Sequence, residues 1–223
     1  FSRKALYTRA HTRFIYNRNK KAISDSKLFL NKYPNVPRAA EILLWLGDHF
    51  ANRGDLKTGR KHFLQLVNEH PDSAFAPTAL YEAAESNYRL EEYDAALALV
   101  KQLNDQYPEC SDRTAAKAAL LKGDIAANRA DYSDAVPSFR KAWKLAPQTP
   151  DGRAGYGRLG DMYFSMASTS SEADEQEDYH KKALECFSKL SKIEDISSRL
   201  RHKAFYRKAK TLEKMDRTEA AIR

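Results

Sequence analysis

Cysteine is nearly missing from this chain. Its 223 residues include only Cys110 and Cys186, 76 positions apart and outside any C-x-x-C pair. Thiolate metal clusters and dithiol redox motifs are thereby excluded, and two isolated thiols fit a reducing compartment. No apolar run approaches the roughly 18 residues of a membrane-spanning helix. The six histidines include no i,i+4 pair, so zinc has no seat on one helix face. Neither G-x-S-x-G nor G-x-x-x-x-G-K is present, which removes the nucleophile elbow and the phosphate-cradling loop. Apolar and polar residues nowhere alternate with period two, so no strand is expected. With catalytic signals this poor, the segment is not expected to be an enzyme. No metal, cofactor or small-molecule substrate is expected either.

Charge is abundant and unevenly placed. Residues 1–40 carry ten Lys/Arg against the single Asp25, residues 41–198 carry 19 against 26, and residues 199–223 carry nine against three. Two basic ends flank an acidic middle, within a net charge of +8. Basic ends attract phosphate or anionic lipid in general; solvated helix faces on terminal units are the other reading. The chain opens on Phe1 and stops at Arg223 inside a helical pattern, and is expected to continue beyond both.

What the sequence has most clearly is a repeat. Pro34, Pro71 and Pro108 follow NKY, NEH and DQY at 37-residue spacing, and Pro147 comes 39 later. Inside each interval apolar residues recur at three and four, the helical spacing. The second unit reads Leu43, Leu46, Gly47 and Phe50, then Gly59 and Phe63. The third has Leu80, Ala83 and Ala84, then Tyr93, Ala96 and Val100; the fourth has Gly123, then Tyr132, Ala135, Phe139 and Ala142. The fifth has Tyr156, Leu159, Gly160 and Tyr163, then Ala183 and Phe187. Each unit thus reads as two helices joined by a turn: 17–19, 52–55, 90–92 or 128–131. Small residues (Ala10, Gly47, Ala84, Gly123, Gly160) mark where the two helices of a hairpin approach closely. Two further conclusions follow from this phase. GYGRLG at 155–160 fits G-x-G-x-x-G, but no strand precedes it and Gly160 is the fifth small slot, so a dinucleotide loop is excluded. The two cysteines fall two units apart, too far for a disulfide.

The unit resembles the tetratricopeptide repeat, whose W-x2-L-G-x2-Y…A-x3-F…P pattern is matched in most units with Leu or Tyr for Trp. The resemblance spans essentially the whole chain and implies an all-α, right-handed solenoid of antiparallel helix pairs, about five and a half repeats. Their bounds are 3–36, 37–73, 74–110, 111–149, 150–197 and a truncated 198–223. The YP endings are similar to repeats of bacterial periplasmic proteins, which implies a cell-envelope location. The family's function is protein–protein interaction through a concave face lined by the first helix of each unit. The residue after the small slot points into that groove: here His11, Asp48, Glu85, Asp124, Asp161 and Lys210. Tyr7, Phe14, Tyr81, Tyr88 and Phe164 lie a turn away. An acidic and aromatic groove suits a basic or amphipathic protein or peptide, whereas repeats that clamp acidic tails carry Lys and Asn there. Asp after Gly is also common in such repeats for local bonding. Nucleic-acid or anionic-surface binding through the basic ends, or service as the regulatory region of a larger protein, are the alternatives.

Three departures carry expectations. Arg9, Arg13 and Ser26 stand where other units are apolar, as suits a terminal cap with one face in water. The fifth unit has 23 residues from Gly160 to Ala183 where others have twelve; the extra eleven make about three helical turns. Longer helices are favoured over a loop at 165–178, with Ser171-x-x-Asp174 as a capping box. Pro137 falls one turn into a helix that must start late or bend there.

Overall fold

A computed structural model describes residues 2–15 and 19–215. Among the described residues there are eleven helices and no strands. The chain divides into two compact units, Phe1–Glu109 and Cys110–Arg223. The first contains α1 (Arg3–Ile15), α2 (Asn19–Lys32), α3 (Pro37–Ala51), α4 (Leu56–Glu69), α5 (Ala76–Arg89) and α6 (Tyr93–Gln106). The second contains α7 (Asp112–Asn128), α8 (Tyr132–Leu145), α9 (Pro150–Thr169), α10 (Ala173–Ser191) and α11 (Ser198–Lys214). Within each unit consecutive helices pack on one another. Asn17 and Arg18 of the expected first turn, and Ala221, lie outside the described residues.

Local chemistry sets the helix ends. Pro37 and Pro150 open α3 and α9 at a position where the missing N–H costs nothing. Asp55, Ser111, Asp131, Thr149 and Ser197 each accept a backbone N–H from the first turn that follows. Three hairpin turns close alike: Asp55, Glu92 and Asp131 donate their N–H to the carbonyls of Phe50, Asn87 and Ala126. The residue before each (Gly54, Glu91, Ala130) has φ of 86°, 62° and 56°. That left-handed closure satisfies helix-end carbonyls, and only the first turn uses the residue suited to it.

The seam between paired helices explains the small slots. A Cβ built on Gly47 would lie 2.2 Å from the Phe63 ring, on Gly123 2.5 Å from Phe139, and on Gly160 2.8 Å from Phe187. Each phenylalanine is fully buried and fills the space that a glycine leaves open. Where the slot is Ala84 or Ala10, the residue at the same register is the smaller Val100 or Ser26. Gly155 lies in a helix interior against Ala142 and the Phe139 carbonyl.

The first-unit expectation needs correction. Ser26 is fully buried and Asp25 is 5% exposed, because Arg9 and Arg13 of α1 both donate to the Asp25 carboxylate of α2. Asp25 is therefore the centre of an α1–α2 tie whose arginines stay 28% exposed, while Ser26 is buried without a hydrogen-bond partner instead of lying on a wet face. The extra residues of the fifth repeat lengthen helices: α9 has 20 residues and α10 has 19. Ser170, not Ser171, organises that turn, accepting the Glu172 N–H at 3.2 Å and donating to Glu175 at 2.9 Å. Pro137 sits inside α8, which starts at Tyr132 and not late. Its ring is on the exposed side.

Candidate functional site

In the first unit, Tyr7, His11 and Phe14 share a face of α1 because spacings of four and three keep side chains in line. Helix α3 meets that face with Trp45 and His49. His11 stacks on Trp45 with ring centroids 4.8 Å apart, and Phe14 stands edge-on to Trp45 at 6.0 Å and to His49 at 5.8 Å. These rings, with Asp48, Arg53 and the exposed Ile15, line a recess of about 570 Å³. Burial, then the neighbouring Arg53 charge, hold His49 below the usual imidazole pKa. Tyr7 belongs to the framework: it is 8% exposed, its hydroxyl donates to Glu41 at 2.7 Å, and the Arg38 guanidinium lies 4.1 Å over its ring. Burial and Glu41 raise its phenol pKa. Tyr81 is equally buried and donates to Glu85 at 3.2 Å. Tyr88 is half-buried against Tyr93 of α6.

In the second unit the expected carboxylates are held internally. Asp124 accepts from Arg158, and Asp161 accepts from Lys203 at 2.7 Å and forms an ion pair with Arg207 at 2.9 Å. Their side chains are 17% and 14% exposed. Phe164 lies edge-on to His180 at 5.9 Å, under the Arg207 guanidinium. Lys210 is exposed, 5.7 Å from the Tyr206 ring centroid. Charge here is largely balanced within the fold. Among the described residues no three His, Cys, Asp or Glu converge on a metal position, and no helix is long and apolar enough to cross a membrane.

Residues 41–73 and 78–109 match the family model for the tetratricopeptide repeat. These two stretches are tetratricopeptide repeats. A tetratricopeptide-repeat protein from Parabacteroides merdae superposes with a TM-score of 0.67 at 17% identity, covering 99% of this chain and 76% of that one. PilF of Pseudomonas aeruginosa gives 0.67 at 12% identity, covering 99% and 87%. MamA of Desulfovibrio magneticus gives 0.64 at 20%, covering 86% and 94%. Identity this low shows the fold alone, a tetratricopeptide-like all-α solenoid. No curated protein matches the chain.

The tetratricopeptide register also reveals what the sequence reading overlooked. Trp45, Arg158 and Arg207 each stand two residues before a small slot (Gly47, Gly160, Ala209). Each reaches the residue just after the small slot of the preceding repeat: His11, Asp124 and Asp161. That position is a repeat-to-repeat contact as much as a groove position. The signal was in the chain as a second phase, two residues before the slot, where Trp45, Arg158 and Arg207 complement the residue after the preceding slot by ring stacking or by opposite charge while Glu82 and Leu121 do not.

Proposed function

We propose that the chain is a non-enzymatic interaction scaffold. Its first unit takes a basic or amphipathic protein or peptide segment on the face formed by α1, α3 and α5. The observation that carries this reading is the recess between α1 and α3. It has aromatic walls from His11, Phe14 and Trp45, an acidic edge at Asp48, and Ile15, 66% exposed, at its lip. An apolar side chain inserted among the rings would be the anchor, since such desolvated aromatic pockets hold most of the binding energy at interfaces. Asp48, with Glu85 on α5, supplies the acidic character that favours lysine or arginine beside that anchor. The fold itself supports a protein partner, tetratricopeptide repeats being general protein-binding scaffolds. The YP-ended repeats support a cell-envelope location.

The chain has only two tryptophans, so Trp143→Phe leaves Trp45 as sole reporter in the recess. A peptide alternating leucine and lysine should change Trp45 emission saturably. Phe14→Ala should weaken that binding about tenfold, the size expected when an aromatic contact is truncated. Lys57→Glu, an exposed change on α4, should leave it within twofold. Silence of Trp45 during binding, or indifference to Phe14→Ala, rules out the recess.

A further inference from the structure

The second unit has a recess of opposite character, formed where the α10–α11 loop folds over the start of α9. Its volume is about 350 Å³, at the lower end of ligand pockets. Ala154, Ile196 and Leu200 supply apolar surface, while Arg153, Arg199 and Lys203 bring three cationic groups to the same opening. The recess is fixed by its own hydrogen bonds. Arg153 is 8% exposed and donates to the Asp195 carbonyl and, at 3.4 Å, to Gln148. Arg201 donates to the Ile193 carbonyl at 3.1 Å and to that of Glu194. The loop's shape is thereby tied down from two helices.

Its charge is not fully compensated. Lys203 shares Asp161 with Arg207. The buried Arg153 Nε has no hydrogen-bond partner, and the exposed Arg199 has no acidic partner among the described residues. Ser197 caps α11, so the positive end of a 17-residue helix faces the same region. An aliphatic floor beneath cations calls for a ligand with an apolar group next to a carboxylate.

We infer that this recess binds an acidic amphipathic peptide segment, seating an aliphatic side chain on Ile196 and Leu200 and a neighbouring carboxylate between Arg199 and Lys203. It is a second surface, distant in sequence from the first-unit recess and opposite in charge preference, and it stands whether or not that recess binds anything. Fluorescence anisotropy tests it, using the whole chain and a labelled octapeptide alternating leucine and glutamate. Saturable binding is expected. Arg199→Glu should weaken it at least tenfold and Arg199→Gln about threefold, with thermal midpoints unchanged because Arg199 is exposed. Lys144→Glu, an exposed charge change on α8, should act within twofold. Four results overturn the proposal: no saturable binding, equal losses from Lys144→Glu and Arg199→Glu, equal affinity for a serine–glutamate peptide, or a short oligothymidylate bound with the same Arg199 dependence. The Trp45 signal described above should not respond to Arg199→Glu, so the two surfaces fail or succeed separately.

Discussion

Ala130 and Glu91 hold backbone angles that L-residues resist, at the same turn position where Gly54 is at ease. A side chain in the left-handed region costs roughly 1–2 kcal/mol, and glycine's larger unfolded-state freedom returns part of that. Ala130→Gly and Glu91→Gly should therefore each stabilise the fold by about 0.5 kcal/mol, whereas Gly54→Ala should destabilise it by about 1 kcal/mol. Urea unfolding of the three variants gives the signs directly; a destabilising Ala130→Gly would mean the turn is not strained there. Residue chemistry also bears on the thiols, both of which are free. Burial pushes the Cys186 thiol up to about 12 and raises that of Cys110 as well, so neither is poised as a nucleophile.

At the scale of a helix pair, the glycine and phenylalanine of each seam act as one unit. Gly123→Ala pushes a methyl into the Phe139 ring and should cost about 2 kcal/mol by overpacking. Phe139→Val alone leaves a void and should cost a similar amount, about 2 kcal/mol. Together they recreate the pairing that Ala84 and Val100 already use, so the double variant should be at least about 1 kcal/mol better than the sum of the singles. Additive losses in a double-mutant cycle would show that the two residues do not share one space. The elongated α9 and α10 were legible because eleven added residues nearly preserve helical phase. The expected capping box at Ser171 does not form, because α10 starts one residue later with Glu172 at its N-cap and no side chain capping it, while Ser170 ends α9 and braces the turn.

For the whole molecule, pH is the variable that tests the burial pattern. His49, His62 and His180 all have imidazole pKa values lowered from 6.5, burial being the first cause in each. Arg53 adds to it at His49, Lys27 and Lys61 at His62, and Lys214 at His180, while a Gln65 hydrogen bond works the other way at His62. The folded chain holds these groups neutral while the unfolded chain protonates them near 6.5. Their contribution is thus fully present above that pH and is lost as pH falls through the lower folded values. Thermal midpoints should decline between about pH 6.5 and 5, and His62→Gln with His180→Gln should flatten that decline. A midpoint that rises on acidification over this interval contradicts the burial of the three rings.

The repeat phase by itself determined the all-α fold, the small-residue seams and the structural use of GYGRLG, because each rests on near-neighbour spacing along one or two helices. A first-helix face bearing Tyr7, His11 and Phe14 was legible for the same reason. Tertiary structure alone decided what each polar residue does. Asp25 reads as one acid in a basic segment, yet the α1–α2 hairpin buries it between two arginines. Asp124 and Asp161 read as open carboxylates, yet the next repeat's cations cover them. The physical reason is that a charge's role depends on which opposite charge lies within a few ångströms, and those partners sit on another helix, 12 and 16 residues away for Asp25 and 34 to 46 away for Asp124 and Asp161.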